Sequence, residues 1–176
     1  EYYEFHDISL NPKPVQKPLP FYITGKTPDT PRRVAKYGAG YLLSRMDTTS
    51  IQERVENLSP FLEEYGRDAS DVDIAISRGF SIGKTYEEAE KRFYRSMLPD
   101  RMNLMAAKSG ISGRSSAERL LDQNLVGTAE QIADQVNELK ERGIQHCILL
   151  YHAVDSYQEM VEQTQWFAED VLRNFA

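Results

Sequence analysis

Apolar runs of strand length alternate along this chain with amphipathic stretches of helical length. Four apolar, β-prone runs predict strands at residues 21–24, 40–44, 73–82 and 147–151. Between them, helical spacing recurs, with one stripe formed by Val55, Leu58, Phe61, Leu62 and Tyr65. This alternation is typical of an α/β fold in which helices cover a parallel sheet. Four such strands make either a small open sheet or half of an eight-stranded barrel.

The turn after the first predicted strand is a candidate anion site. It contains Gly25, Lys26 and Thr27, and Thr30-Pro31 is typical of a helix N-cap followed by proline at the first helical position. Free backbone N–H groups and the positive end of the helix dipole suit a phosphate, and the hydroxyls and Lys26 add donors and charge. The alternative interpretation is a simple connection in which Thr30 only caps its own helix.

Further candidates follow other predicted strands, at the edge of the sheet where parallel α/β folds bind ligands. Ser44 and Arg45 end the second strand, where Arg45 could contact an anionic or aromatic ligand or simply be solvated. His152 ends the last strand and is either a site residue or a structural histidine. The three histidines lack metal-ligand spacing, so we expect no metal site. No motif identifies a catalytic residue.

The segment at residues 96–124 interrupts the alternation. It is rich in methionine and carries two Ser-Gly pairs near its centre. We predict a helix, a mobile loop and a second helix, which form a lid or insertion within a single domain spanning residues 1–176. Plain disorder of this segment is the alternative.

Composition narrows the possible partners and compartments. A formal charge of −6 argues against nucleic acid as the main partner. No apolar run approaches the roughly 18–20 residues of a membrane-spanning helix, and the acidic, aromatic start does not resemble a signal peptide. The single cysteine, Cys147, excludes an internal disulfide and lies in an apolar run typical of a buried thiol. We therefore expect a soluble cytoplasmic protein.

Several short motifs occur in a distinctive order. Residues 11–18 read NPKPVQKP before the first predicted strand, and residues 32–38 read RRVAKYG in the helix after it. Residues 126–132 read VGTAEQI, and the closing helix carries Trp166 and Phe167. Together these motifs resemble the luciferase-like flavin monooxygenases, the bacterial luciferase-like family, over essentially the whole chain. The resemblance implies a TIM, or (β/α)8, barrel, of which this chain forms strands five to eight with their helices. The resemblance then implies two partners. One is the amino-terminal half of the barrel, and the other is a second copy of the protein in a homodimer.

The resemblance also implies roles for the candidate residues. Lys26, Thr27 and Thr30 match positions that bind the flavin phosphate in the bacterial luciferase branch, with lysine in place of a glutamate. Ser44 and Arg45 match positions near the isoalloxazine ring, where arginine replaces an aromatic residue. The family's catalytic histidine matches no residue here, because it belongs to the first half of the barrel.

The reaction implied by the resemblance is monooxygenation. Reduced FMN, supplied by a flavin reductase, reacts with O2, and a small organic substrate is oxidised. Two alternatives remain open. One is hydride transfer with the deazaflavin F420, as in some relatives. The other is a non-catalytic flavin-binding or scaffold subunit, like the inactive chain of heterodimeric luciferases.

Overall fold

A parallel β-sheet forms the centre of the fold. The computed structural model describes residues 4–9, 11–44, 46–96, 98–108 and 117–175. All neighbouring strands are parallel, as the apolar runs predict. Within the described ranges the sheet has five strands: β1 (Tyr22–Ile23), β2 (Gly40–Ser44), β3 (Ile74–Ile82), β4 (Leu125–Gly127) and β5 (His146–His152).

Helices connect the strands and cover one side of the sheet. They are α1 (Thr30–Tyr37), α2 (Thr48–Glu56), α3 (Ser59–Glu64), α4 (Tyr86–Arg95), α5 (Leu98–Lys108), α6 (Ala117–Asp122), α7 (Ala129–Glu141) and α8 (Tyr157–Trp166). A short 3-10 turn (Ala69–Asp71) precedes β3, and α8 continues into a π-helical turn (Phe167–Val171) and a 3-10 turn (Leu172–Phe175). None of the described helices has both the length and the apolar character that crossing a membrane requires.

The central strand of the sheet is β3. On one edge, β2 pairs with residues 74–77 of β3, and on the other edge β5 pairs with residues 75–80. The short β4 pairs with residues 80–82, on the same edge of β3 as β2 but beyond the point where the pairing with β2 ends. The long strands therefore lie in the order β1, β2, β3, β5, which is the sequential order of neighbouring strands in a (β/α)8 barrel.

The two faces of the sheet differ in burial. Helices pack on the outer face, where Tyr41, Leu43 and Ile76 are inaccessible to solvent. The opposite face, here called the inner face, is partly open: Ile148 is 42 % exposed and Leu150 is 50 % exposed. In a closed barrel, side chains from all the strands fill the inner space together. A sheet with one packed face and one open apolar face therefore has the form of a partial barrel.

Two local features differ from the sequence-based predictions. The pattern does not predict β4, because a strand of three residues is too short to show periodicity, and its pairing with the end of β3 alone defines it. The apolar stripe at residues 55–65 predicts one helix, but α2 ends at Glu56 and α3 begins at Ser59. Pro60 lies in the first turn of α3, where it starts a helix and cannot continue the preceding one.

Side-chain amides complete the hydrogen bonding of β3. The Gln163 amide accepts a hydrogen bond from the backbone N–H of Ile82 at 2.9 Å and donates one to the Ile82 carbonyl at 3.1 Å. The Asn124 side chain, 5 % exposed, accepts from the backbone N–H of Gly79 at 2.9 Å. Because buried backbone groups need partners, these amides fix α8 and the segment before β4 to the carboxyl-terminal half of β3.

Candidate functional site

The turn after β1 and the end of β2 lie at the same edge of the sheet. Because Ile23 pairs with Tyr41, the residues after Ile23 run beside the last residues of β2. The turn at residues 25–30, here called the β1 turn, therefore begins close to the level at which β2 ends. Five of the six predicted cofactor-binding residues share this edge: Gly25, Lys26, Thr27, Thr30 and Ser44. The sixth, Arg45, lies outside the described residues.

Two threonines hold the β1 turn in shape. The backbone N–H of Thr30 donates to the Thr27 carbonyl at 3.0 Å, and their hydroxyl oxygens are 3.0 Å apart, within hydrogen-bond distance. Thr30 is 1 % exposed, whereas Thr27 is at the surface. A Cβ atom added to Gly25 would lie 2.7 Å from the Thr30 hydroxyl oxygen, closer than real Cβ atoms come. The turn therefore requires glycine at this position.

Thr30 is the first residue of α1, so its prediction as the N-cap is wrong by one residue. The N-cap is Asp29, whose side chain makes no capping hydrogen bond, and Pro31 takes the second helical position. The helix begins early because the Thr30 N–H already closes a turn onto the Thr27 carbonyl. The alternative role of Thr30, as a side-chain cap for its own helix, is wrong for the same reason. The Asp29 side chain caps no N–H group of α1, and because Pro31 has no N–H and Arg33 donates to the Asp29 carbonyl at 3.1 Å, the N–H of Arg32 is the one left without a backbone partner among the described residues of the first turn.

Arg54 supports the β1 turn from α2. Its Nη2 donates to the Lys26 carbonyl at 2.7 Å and its Nη1 to the Thr27 carbonyl at 3.4 Å. Burial raises the pKa of the neighbouring Tyr41 hydroxyl, and the positive charge of Arg54 opposes that rise. The sequence analysis missed Arg54, because a contact across 28 positions leaves no local pattern.

Positive charges outnumber negative charges at the β1 turn. Lys26 has an exposed side chain, and Arg54 adds a second positive charge through its contacts with the turn. Asp29 supplies the one carboxylate among the residues of the turn. The nearby Arg32 is already engaged, because it donates to Glu64 at 2.8 Å. An anion bound here would meet two cations, the N-terminus of α1 and one opposing carboxylate.

A pair of serines lies on the inner face near the same edge. Ser44 pairs in register with Ser77 of β3, and both residues point to the inner face because Leu43 and Ile76 point outward. Ser77 is 8 % exposed, and neither hydroxyl forms a hydrogen bond within the described part of the chain. The sequence analysis missed Ser77, which stands in mid-strand with no motif around it.

His152 packs against α8 and Phe80 and not beside the serine pair, which favours its structural alternative. Its Nε2 lies 3.0 Å from the hydroxyl oxygen of Thr164, and its ring packs edge-on against Phe80 with ring centres 4.5 Å apart. Burial lowers the pKa of this imidazole. The structural alternative accounts for all of these contacts.

Part of the predicted lid packs over the inner face. Leu98 and Met102 of α5 border a small cavity together with Ser77 and Gly79 of β3. Asn124 joins α6 to the segment before β4, since its Nδ2 donates to the Leu120 carbonyl at 2.6 Å. The predicted segment thus contains α5 and α6, and its central loop, residues 109–116, lies outside the described residues.

Solved structures with this fold are longer than the chain. The monooxygenase RslO1 from Streptomyces bottropensis is 22 % identical, with a TM-score of 0.75, and the match covers 100 % of this chain and 54 % of that one. An F420-dependent secondary alcohol dehydrogenase, in complex with an F420–acetone adduct, is 17 % identical with a TM-score of 0.69, covering 97 % and 54 %. At these identities the likeness shows the fold alone, a partial TIM barrel.

A third solved structure contains FMN. It is the oxygenating constituent of 3,6-diketocamphane monooxygenase, a type II Baeyer–Villiger monooxygenase of Pseudomonas putida, which is 20 % identical with a TM-score of 0.60. The match covers 86 % of this chain and 48 % of that one, so the chain spans about half the length of the structures it matches.

Sequence comparison identifies the family. No curated protein matches the chain. The profile of the luciferase-like monooxygenases matches residues 1–146, most of the sequence. The chain therefore belongs to the luciferase-like monooxygenase family.

Proposed function

We propose that this protein is a flavin-dependent monooxygenase that oxidises a small organic substrate with O2 and reduced FMN, and that the β1 turn binds the flavin phosphate. Membership of the luciferase-like monooxygenases supports the class of reaction. The observation that carries the binding site is the β1 turn itself, a glycine turn beside a helix N-terminus at the carboxyl end of a strand.

The residues of the β1 turn fit a phosphate. Gly25 lets the backbone turn tightly against Thr30, and the Thr27 hydroxyl lies at the surface, where it can donate. Lys26 and Arg54 outnumber the single carboxylate of Asp29, so the local field favours an anion. In the first turn of α1, Pro31 has no N–H and the N–H groups of Thr30 and Arg33 donate to backbone carbonyls, so the helix offers a phosphate the N–H of Arg32.

The inner face is proposed to hold the rest of the flavin. Ser44 and Ser77 offer two hydroxyls there, and Arg45 follows Ser44 directly in sequence. The bound flavin would supply the redox chemistry, while the chain binds the phosphate, orients the ring and excludes water. We propose the segment at residues 96–124 as the lid that limits solvent access, since α5 already borders the inner face.

The remaining machinery is proposed to lie in an amino-terminal half of the barrel. The exposed Ile148 and Leu150 on the inner face suit such a covering. The catalytic residues would belong to that half, and a homodimer, a flavin reductase and a cytoplasmic location complete the proposal.

Two alternatives belong to the same family. One solved relative carries an F420–acetone adduct, which supports an F420-dependent oxidoreductase as the second candidate. The replacement of an aromatic residue by Arg45 near the expected ring position favours the third, a non-catalytic flavin-binding or scaffold subunit.

Binding and turnover assays on the full-length protein separate these candidates. We expect FMN to bind and reduced FMN to support O2-dependent oxidation of at least one member of a panel of aldehydes, alkanes, sulfonates and amines. Binding of F420 with O2-independent hydride transfer would replace the monooxygenase with the second candidate. Flavin binding without turnover on any substrate would leave the non-catalytic flavin-binding subunit. A folded protein that binds neither cofactor would contradict the flavin site at the β1 turn and leave the scaffold subunit.

A further inference from the structure

A polar cavity of about 200 Å3 lies between α7, β4 and the start of α2. Its walls include the arginines Arg78 and Arg142 together with Thr48, Asn124 and Gln135. None of these residues belongs to the β1 turn or to the serine pair. Arg78 and Asn124 also border the small inner-face cavity beside Ser77, but the other residues named here do not. The family resemblance assigns this cavity no role.

Arg78 is a buried cation with little compensation. It is 3 % exposed and makes one hydrogen bond within the described residues, from Nη1 to the Met46 carbonyl at 2.6 Å. A guanidinium has five N–H donors, so four have no partner among the described residues, and Nε and Nη2, which carry three of them, keep some access to solvent. Burial lowers the pKa of Arg78, and the neighbouring Cys147, Asp122, Asp47 and Glu138 oppose that shift. Among the described residues, Asp122 and Glu138 form no ion pair with it. A buried charge in this state favours an anionic partner.

Arg142 is a second arginine of the cavity lining with an unsatisfied N–H group. Its Nη2 donates to Glu138 at 2.7 Å, while its Nε is buried and has no hydrogen-bond partner in the part of the chain that the structure describes. The other acid of the lining, Asp122, is also engaged, because its oxygens accept from the backbone N–H and hydroxyl of Thr48 at 3.0 and 2.6 Å. Most of the unsatisfied polar groups around this cavity are therefore N–H donors of arginine side chains.

We propose that the cavity binds a small organic carboxylate, whose oxygens accept hydrogen bonds from Arg78 and Arg142. The planar carboxylate matches the geometry of the guanidinium fork. A monoanion fits better than doubly charged phosphate, because Asp122 and Glu138 place two negative charges in the same lining. At about 30 Å3 per water molecule, the volume accommodates a molecule of several non-hydrogen atoms.

Acetate is the probe for this site. The full-length protein is titrated with sodium acetate, sodium chloride or sodium phosphate at pH 7 and constant ionic strength, following Tm and the broadening of the 13C signal of labelled acetate. We expect a saturable rise of Tm with acetate that chloride does not produce. An acetate effect equal to that of chloride overturns the proposal. Because the proposed flavin site should itself respond to phosphate, a stronger effect of phosphate overturns the choice of a carboxylate if Arg142→Gln removes it and Lys26→Glu does not.

Substitutions locate the binding. Arg142→Gln should weaken acetate binding about tenfold or more, since it removes charge-assisted hydrogen bonds. The matched control is Arg173→Gln, which changes an exposed arginine paired with Asp170 and should leave acetate binding unchanged. Unchanged acetate affinity in Arg142→Gln contradicts the site. Arg78→Lys keeps the charge and removes the fork, and should weaken binding similarly; if it does not fold, Arg142→Gln alone decides.

Discussion

Arg54 and Lys26 are joined by a 2.7 Å hydrogen bond from the guanidinium Nη2 of one to the backbone carbonyl of the other. The contact draws a carbonyl oxygen of the β1 turn toward α2 and places a second positive charge beside Lys26. Since carbonyl oxygens repel a phosphate and N–H groups attract it, this arrangement favours an anion at the turn.

Arg54→Gln should weaken FMN binding about tenfold or more, because it removes a charge and a charge-assisted hydrogen bond from the turn. Riboflavin, which lacks the phosphate, should bind with unchanged affinity. Flavin fluorescence titrations of the full-length protein measure both values, with Arg173→Gln as the control. Equal losses for FMN and riboflavin would mean that Arg54 supports the structure rather than the phosphate.

Gly25→Ala should destabilise the protein by roughly 1–3 kcal/mol, because the new Cβ meets the Thr30 hydroxyl at 2.7 Å. Urea unfolding measures the loss. The double variant Gly25→Ala/Thr30→Ala removes the obstructing oxygen, so it should lose less than the sum of its two single variants. Additive losses would show that this contact does not make glycine necessary.

Asn124→Ala should cost about 1–3 kcal/mol, because it leaves the backbone N–H of Gly79 buried without a partner. The control, Asn137→Ala on the exposed side of α7, should change stability by less than about 0.5 kcal/mol. The two variants are compared by urea unfolding under identical conditions. A similar small effect for both would contradict the anchoring role of Asn124.

Four of the five described strands were predictable from the sequence, whereas the contacts between distant residues were not. All nine residues of β3 are buried, and its isoleucines and Phe80 make the strand visible in the sequence. β4 has three residues and depends on pairing with β3, which no local pattern records. Within the site, the glycine and threonines of the β1 turn were recognisable in the sequence. Arg54 and Ser77 were not, because α2 and the sheet bring them to the site from distant positions. The N-cap prediction failed because a 3.0 Å turn bond started the helix at Thr30.

His152 should make the protein less stable in mild acid. Burial lowers its pKa in the folded state, so the unfolded chain takes up the proton first. The stabilising contribution is complete above the ordinary histidine pKa of about 6.5 and is lost as the pH falls below it. His152→Gln should therefore lose less stability than the wild type between pH 7.5 and 5.5 in urea unfolding. His6→Gln, a change at an exposed histidine, should keep the wild-type dependence. The same dependence in all three proteins would exclude this role.

The most direct test of the proposed flavin site is the affinity of the full-length protein for FMN and for riboflavin, with and without Lys26→Glu. This change reverses the charge of an exposed side chain in the β1 turn, and Lys91→Glu reverses an exposed charge on α4 as the control. We predict that Lys26→Glu weakens FMN binding at least about tenfold and leaves riboflavin binding unchanged, since only FMN carries the phosphate. Unchanged FMN affinity in Lys26→Glu, with the protein folded, would contradict a phosphate site at the β1 turn.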